Sequence, residues 1–135
     1  MGLAIQFYKT KKQDWKECQH NENPSTDDGT LSLLEVAYFR KVNFLVRYFN
    51  YEDNLSLIEI DKQQIEDLID ICVEVLETKN EYVSETLLPT ACGFFFGSTE
   101  YDRYYYENVE DVLFTFRNIL KDLKDDEVIL MQCWW

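Results

Sequence analysis

Seven apolar residues, Val109, Val112, Leu113, Phe116, Ile119, Leu120 and Leu123, recur at spacings of 3, 1, 3, 3, 1 and 3. That rhythm is the period of an α-helix and sets all seven on one face. The spacing predicts a helix ending near Lys124 and Asp125. Glu107, Glu110 and Asp111 stand in its first turns and Arg117, Lys121 and Lys124 later, the order that the helix dipole favours. A helix with so complete an apolar face is stable only when another layer covers it, so the rest of the chain must supply that layer.

Leu3 to Tyr8 alternates imperfectly between apolar and polar residues and predicts a strand that ends in a lysine run. From Gln13 to Thr30 the composition turns polar, with Asn21, Asn23, Pro24, Ser25, Asp27, Asp28 and Gly29 supplying turn chemistry, and a loop is expected. Ser32 and Glu35 have the spacing of a capping box, and Leu34, Tyr38, Leu45 and Phe49 follow, predicting a helix over about 32–50. Leu55 to Ile60 alternates as a half-buried strand does. Asp61 and Gln64 then cap a helix whose core stripe is Ile65, Leu68, Ile69, Cys72, Val75 and Leu76, ending near Lys79 and Asn80. Glu81 to Leu88 adds a further helical turn before Pro89, and Val128 to Trp135 reads as a closing strand. Short strands separated by helices predict an α+β fold, a small mixed or antiparallel sheet of about three to four strands with three main helices packed on it. Residues 1–135 are expected to form one domain.

Charge narrows the partners. Thirteen basic residues face 26 acidic ones, a formal charge of −13. The first sixteen residues hold four lysines against one aspartate, leaving nine basic and 25 acidic residues beyond them, a balance of −16. Such a surface repels phosphate backbones and anionic membranes, which argues against direct nucleic-acid or membrane binding and favours a basic protein partner, including one that itself binds nucleic acid. Cys18, Cys72, Cys92 and Cys133 form no CxxC pair, and His20 is the only histidine, so no zinc site is expected. Without a hydrophobic N-terminal run, and with Gln6 where a myristoylation signal needs Ser or Thr, the chain is expected in the cytoplasm with free thiols.

The densest feature lies ahead of the long helix. Seven of the thirteen residues from Phe94 to Tyr106 are aromatic, and Gly93 and Gly97 bracket Phe94, Phe95 and Phe96. GFFFG has neither the lysine nor the spacing of a phosphate loop, so the glycines are read as turns that aim three rings into different environments. Ser98 and Thr99 have no nearby histidine, and Cys92 is read as structural, so no catalytic residue is assigned. Glu107, Glu110 and Asp111 have helical carboxylate spacing but read as a solvated helix start, and neither metal nor cofactor is expected. Glu100, Tyr101, Asp102, Tyr104, Tyr105 and Glu107 are read as a partner-binding surface, with core packing the rival fate of the rings. Arg40, Asn43 and Arg47 fall at i, i+3 and i+7 of the expected 32–50 helix. They either pair with the protein's own carboxylates or form, with Gly93 to Tyr106, a pocket for an anionic ligand.

Three blocks carry a resemblance: Met1, Gly2, Leu3; Ala37 to Lys41 with Asn43; and Leu87 to Thr90 with Gly93 to Asp102, Tyr104 and Tyr105. The chain resembles an uncharacterised family of small phage and bacterial proteins with an MGLD-type start, a YWRK helix and an LLPT...GFFFGSTEYD.YY block. Family members often carry aspartate at Ala4, tryptophan at Phe39, histidine at Val46 and cysteine near Leu55, so polar positions of the family are absent here. The resemblance implies a phage or mobile-element association and brings no established activity.

Overall fold

The computed structural model describes residues 2–19, 32–93 and 96–135. The chain runs β1 (Ala4–Lys11), α1 (Lys12–Gln19), β2 (Leu34–Arg40), α2 (Asn43–Tyr48), β3 (Leu57–Ile60), α3 (Lys62–Thr78), α4 (Glu81–Leu87), α5 (Arg103–Asp122) and β4 (Glu127–Trp134). The four strands form one antiparallel sheet in the order β2-β1-β4-β3, so the fold is α+β as expected.

The sheet is buried on two faces of unequal depth. Ile5, Phe7, Phe39, Ile60, Ile129, Met131 and Cys133 share one face and pack into the main core with α2, α3 and α5. Val128 and Leu130, alternating with those β4 residues, point to the opposite face, where Trp15 of α1 covers them. Strand β4 therefore reads as an almost continuous apolar run because helices lie on both its sides. The periodic stripe of α5 buries Val109, Val112, Leu113, Phe116 and Ile119, and α3 packs against it through Ile65, Leu68, Cys72 and Val75. The predicted capping box at the start of α3 is complete: Gln64 N donates to Asp61 Oδ1 over 2.9 Å and Asp61 N to Gln64 Oε1 over 3.0 Å.

The predicted helix over 32–50 does not form. Leu34 to Arg40 instead pairs with β1, from Ala4↔Arg40 to Lys9↔Leu34, with a bulge opposite Phe7/Tyr8. Lys41 then adopts a left-handed φ of 57° and breaks the strand, and the six-residue α2 follows. Pairing with β1 buries Phe39 against Phe7 and Phe116, which outweighs the local capping pattern at Ser32. Tyr38 to Lys41, on which the resemblance to a YWRK helix rests, forms the end of this strand and its turn. The expected loop over 13–30 begins with helix α1, held by one buried ring, Trp15, whose Nε1 donates to Glu59 Oε1 over 2.9 Å. The remainder of that loop, with His20, lies outside the described residues.

Candidate functional site

Between α4 and α5, the described residues 88–93 and 96–102 form no regular structure and are held by side chains from both neighbours. Asn43, buried at the start of α2, holds it most firmly. Its Nδ2 donates to the carbonyls of Phe96 (3.1 Å) and Ser98 (2.9 Å), and its Oδ1 accepts from Ala91 N (3.1 Å). Both amide donors and the carbonyl are thus committed to the segment's backbone, which leaves Asn43 a structural anchor. Arg47 Nη1 donates to Thr90 O over 3.1 Å. From the other side the tyrosines act through their hydroxyls. Tyr105 donates to Leu88 O over 2.8 Å, Tyr106 shares a 2.9 Å hydrogen bond with Ser84, and Tyr101 accepts from Thr90 N over 3.2 Å.

Glycine is required at both ends of the aromatic run. A Cβ on Gly93 would lie 2.8 Å from the Phe96 ring, and Gly97 has a φ of +90° with Lys41 Cβ only 3.0 Å from where its own Cβ would be. Phe96 is buried against Trp135, with ring centroids 5.1 Å apart, as expected for a ring aimed inward. Phe94 and Phe95 lie outside the described residues.

Between the segment and the β2–α2 junction lies a cleft of about 190 Å³. Arg40, Lys41 and Asn43 line it from the junction, Gly97, Ser98, Glu100 and Asp102 from the segment, and Tyr104, Tyr105 and Asn108 from α5. The structure thus brings Arg40 and Asn43 of one sequence-predicted set and Glu100, Asp102, Tyr104 and Tyr105 of the other onto one concavity, while Arg47, Tyr101 and Glu107 do not line it. Arg47 is exposed but bound to Thr90 O and does not line the cleft, because Arg40, Asn43 and Arg47 are not on one helix and form no stripe. Tyr105, expected on the surface, is 4% exposed; its ring packs 5.5 Å from Phe44 and 5.0 Å from Tyr101, so it belongs to the core. Tyr101 is half-buried with its hydroxyl occupied at Thr90.

Glu100, Asp102, Tyr104 and Glu107 remain exposed. Asp102 caps α5, accepting from Tyr105 N over 3.1 Å, and Glu107 stands 3.5 Å from Arg103. Arg103 also lies over the Tyr104 ring, 5.4 Å from its centroid. Tyr104 is 64% exposed, and among the described residues its hydroxyl has no hydrogen-bond partner.

Lys41 lines the cleft without having been expected there from the sequence. Its signal was present in the adjacent pair Arg40–Lys41, but the expected helix placed the two on different faces; the strand end and left-handed turn bring both to the cleft. Neither Arg40 nor Arg47 forms the internal ion pair that an acid-rich chain makes probable on charge alone: the ion pairs among the described residues are Lys9–Glu127, Lys11–Asp126 and Arg103–Glu107.

The thiols offer little chemistry. Burial pushes Cys72 and Cys133 up to about 12, far from a thiolate at neutral pH, while Cys92 is exposed and Cys18 half-buried. Among the described residues no group of three or more His, Cys, Asp or Glu is arranged to hold a metal ion, and no helix is long and apolar enough to cross a membrane.

Comparison with protein-family models, with curated proteins and with solved structures finds no match. Fold and site define an α+β protein with a four-stranded antiparallel sheet and a small cleft of mixed charge.

Proposed function

We propose that the protein binds a basic protein partner through the acidic lip of this cleft and thereby modulates or inhibits it. The supporting observation is Tyr104, an exposed ring whose hydroxyl has no partner among the described residues, set beside the exposed carboxylates of Glu100, Asp102 and Glu107. A rigid aromatic supplies contact area at low entropic cost, and surrounding carboxylates steer and select a cationic surface. The overall charge of −13 extends that steering beyond the contact and makes it sensitive to salt. The partner's class follows from the same charge: a basic protein, including a nucleic-acid-binding one of the host-defence or toxin type, whose groove the acidic lip occupies in place of phosphates. The resemblance noted in the sequence supports a phage-associated setting, and the unpaired cysteine pattern a cytoplasmic one.

Immobilised protein is expected to capture a basic protein from host lysate and release it as salt is raised. The double variant Glu100→Lys, Tyr104→Ala should lose that capture. Tyr82→Ala, at a still more exposed ring on α4, should retain it. Equal recovery by the double variant and the parent, or no partner at all, contradicts the proposal.

A second reading is favoured by one observation. Arg40 and Lys41 line the cleft without a carboxylate partner among the described residues, which fits a ligand-binding site for an anionic group. Of the expected set Arg40, Asn43 and Arg47, only Arg40 remains available to such a ligand, since the amide of Asn43 is spent on backbone and Arg47 is bound to Thr90.

A further inference from the structure

Both signs of charge line the same small cleft without meeting. Arg40 and Lys41 approach from the β2–α2 junction, and Glu100 and Asp102 from the opposing segment, yet no nitrogen of the first pair lies within 4.0 Å of a carboxylate oxygen of the second. Opposite charges at exposed positions attract only weakly, and here the backbone anchors the two pairs on opposite walls. Lys41 is fixed in a left-handed turn whose N–H donates to Leu3 O over 2.9 Å, and its side chain is laid along Gly97, where a Cβ would meet it at 3.0 Å. Across the cleft, Glu100 is held by its N–H on Ser98 Oγ (3.1 Å), and Asp102 by its cap on α5. Asn43 ties the two walls together through its bonds to Phe96 and Ser98, so their separation is set by the fold.

We infer that the cleft is a site for a small zwitterion, with a carboxylate on Arg40 and Lys41 and an ammonium group on Glu100 and Asp102. This deepens the ligand-binding reading above and is independent of the protein-partner reading. The volume, about 190 Å³, equals roughly six waters at their share of liquid volume and fits a molecule of the size of a free amino acid. The Asn108 side chain and the Ser98 hydroxyl on the lining add hydrogen-bonding capacity for a polar body. A guanidinium next to an ammonium matches a carboxylate, and two carboxylates, one with an oxygen left beyond its helix cap, match an ammonium group.

The test uses purified full-length protein and two-dimensional amide NMR with four probes: β-alanine, γ-aminobutyrate, propionate and n-propylammonium. The two zwitterions are expected to give saturable shifts at Gly97, Ser98 and Asn108, with at least one binding tenfold or more tighter than either singly charged probe at matched ionic strength. Arg40→Gln and Glu100→Gln, both at exposed positions, should each weaken that zwitterion about tenfold, and Arg117→Gln on the far stretch of α5 should leave it unchanged. If propionate saturates the same amides as tightly as the zwitterions, the cleft is an anion site and the zwitterion assignment falls. If no probe saturates them, both the assignment and the ligand-binding reading fall.

Discussion

Two aromatic regions of this protein use their rings in opposite ways. In the core, Phe7 stands 4.9 Å from Phe116, 5.9 Å from Phe49 and 6.2 Å from Phe39, ring edge against ring face, with no polar atom among them. Around the segment before α5, Tyr101, Tyr105 and Tyr106 also pack edge to face at 5.0 Å, but each carries a hydroxyl bonded to the 84–90 stretch, Tyr101 at the Thr90 N–H, Tyr105 at the Leu88 carbonyl and Tyr106 at the Ser84 side chain. Phenylalanine makes the core by area alone; tyrosine makes a loop rigid by area plus one directed bond. The comparison isolates Tyr104, one residue from the most buried tyrosine of its cluster, as a ring bound to neither purpose.

Removing a core ring should have the largest effect. Phe116→Ala empties the meeting point of Phe7, Phe39 and Phe49 and is expected to cost about 3–5 kcal/mol in urea unfolding, with one cooperative transition retained. Asn43→Ala attacks the anchor of the segment. It leaves the carbonyls of Phe96 and Ser98 and the N–H of Ala91 without their partner and should cost about 2–3 kcal/mol. Hydrogen exchange should quicken at Ala91 and its neighbours while α3 stays protected.

Tyr105→Phe keeps the ring and removes the bond to Leu88 O, with an expected loss of about 1–2 kcal/mol. It also has a pH signature. Burial, reinforced by the neighbouring Tyr101 and Tyr106, raises the Tyr105 hydroxyl above its ordinary value of 10.0. The unfolded chain therefore releases that proton first, and the stability linked to it is full below pH 10 and lost as pH rises above it. The variant should show a shallower fall in stability above pH 10 than the parent. An equal slope would mean that the hydroxyl titrates as it does in water. The smallest change is expected at Tyr104→Ala, within about 0.5 kcal/mol, because the exposed ring touches little beyond Arg103. A loss comparable to that of Tyr105→Phe would erase the distinction between the two tyrosines.

How far the sequence reaches differs along the chain for physical reasons. The helices α3 and α5 were legible because their apolar spacing and the Asp61–Gln64 capping box are local signals that the tertiary structure keeps. Strand β2 was not. Leu34, Tyr38, Leu45 and Phe49 match a helical period only because a strand, a left-handed Lys41 and a short helix happen to follow one another, and the deciding contact is with β1, some thirty residues earlier in the chain. Helix α1 hid for the opposite reason: Trp15 and the half-buried Cys18 dock it, and two apolar residues make too short a pattern to read as a period. The aromatic segment stood out as a place to look, yet which tyrosine is free depends on hydroxyl partners at Ser84, Leu88 and Thr90 that spacing does not reveal. The stripe expected of Arg40, Asn43 and Arg47 does not exist, yet Arg40 and Asn43 both reach the cleft, one as lining and one as anchor.

The proposed partner surface centres on Tyr104, the exposed ring on the acidic cleft lip. The most direct measurement places a photoreactive phenylalanine analogue at position 104 and, in a separate sample, at position 82, the exposed tyrosine on α4. Crosslinks to a basic protein are expected from position 104, reduced by salt and by Glu100→Lys, and none above background from position 82. Equal crosslinking from both positions, or crosslinks from position 82 alone, would contradict the proposed surface.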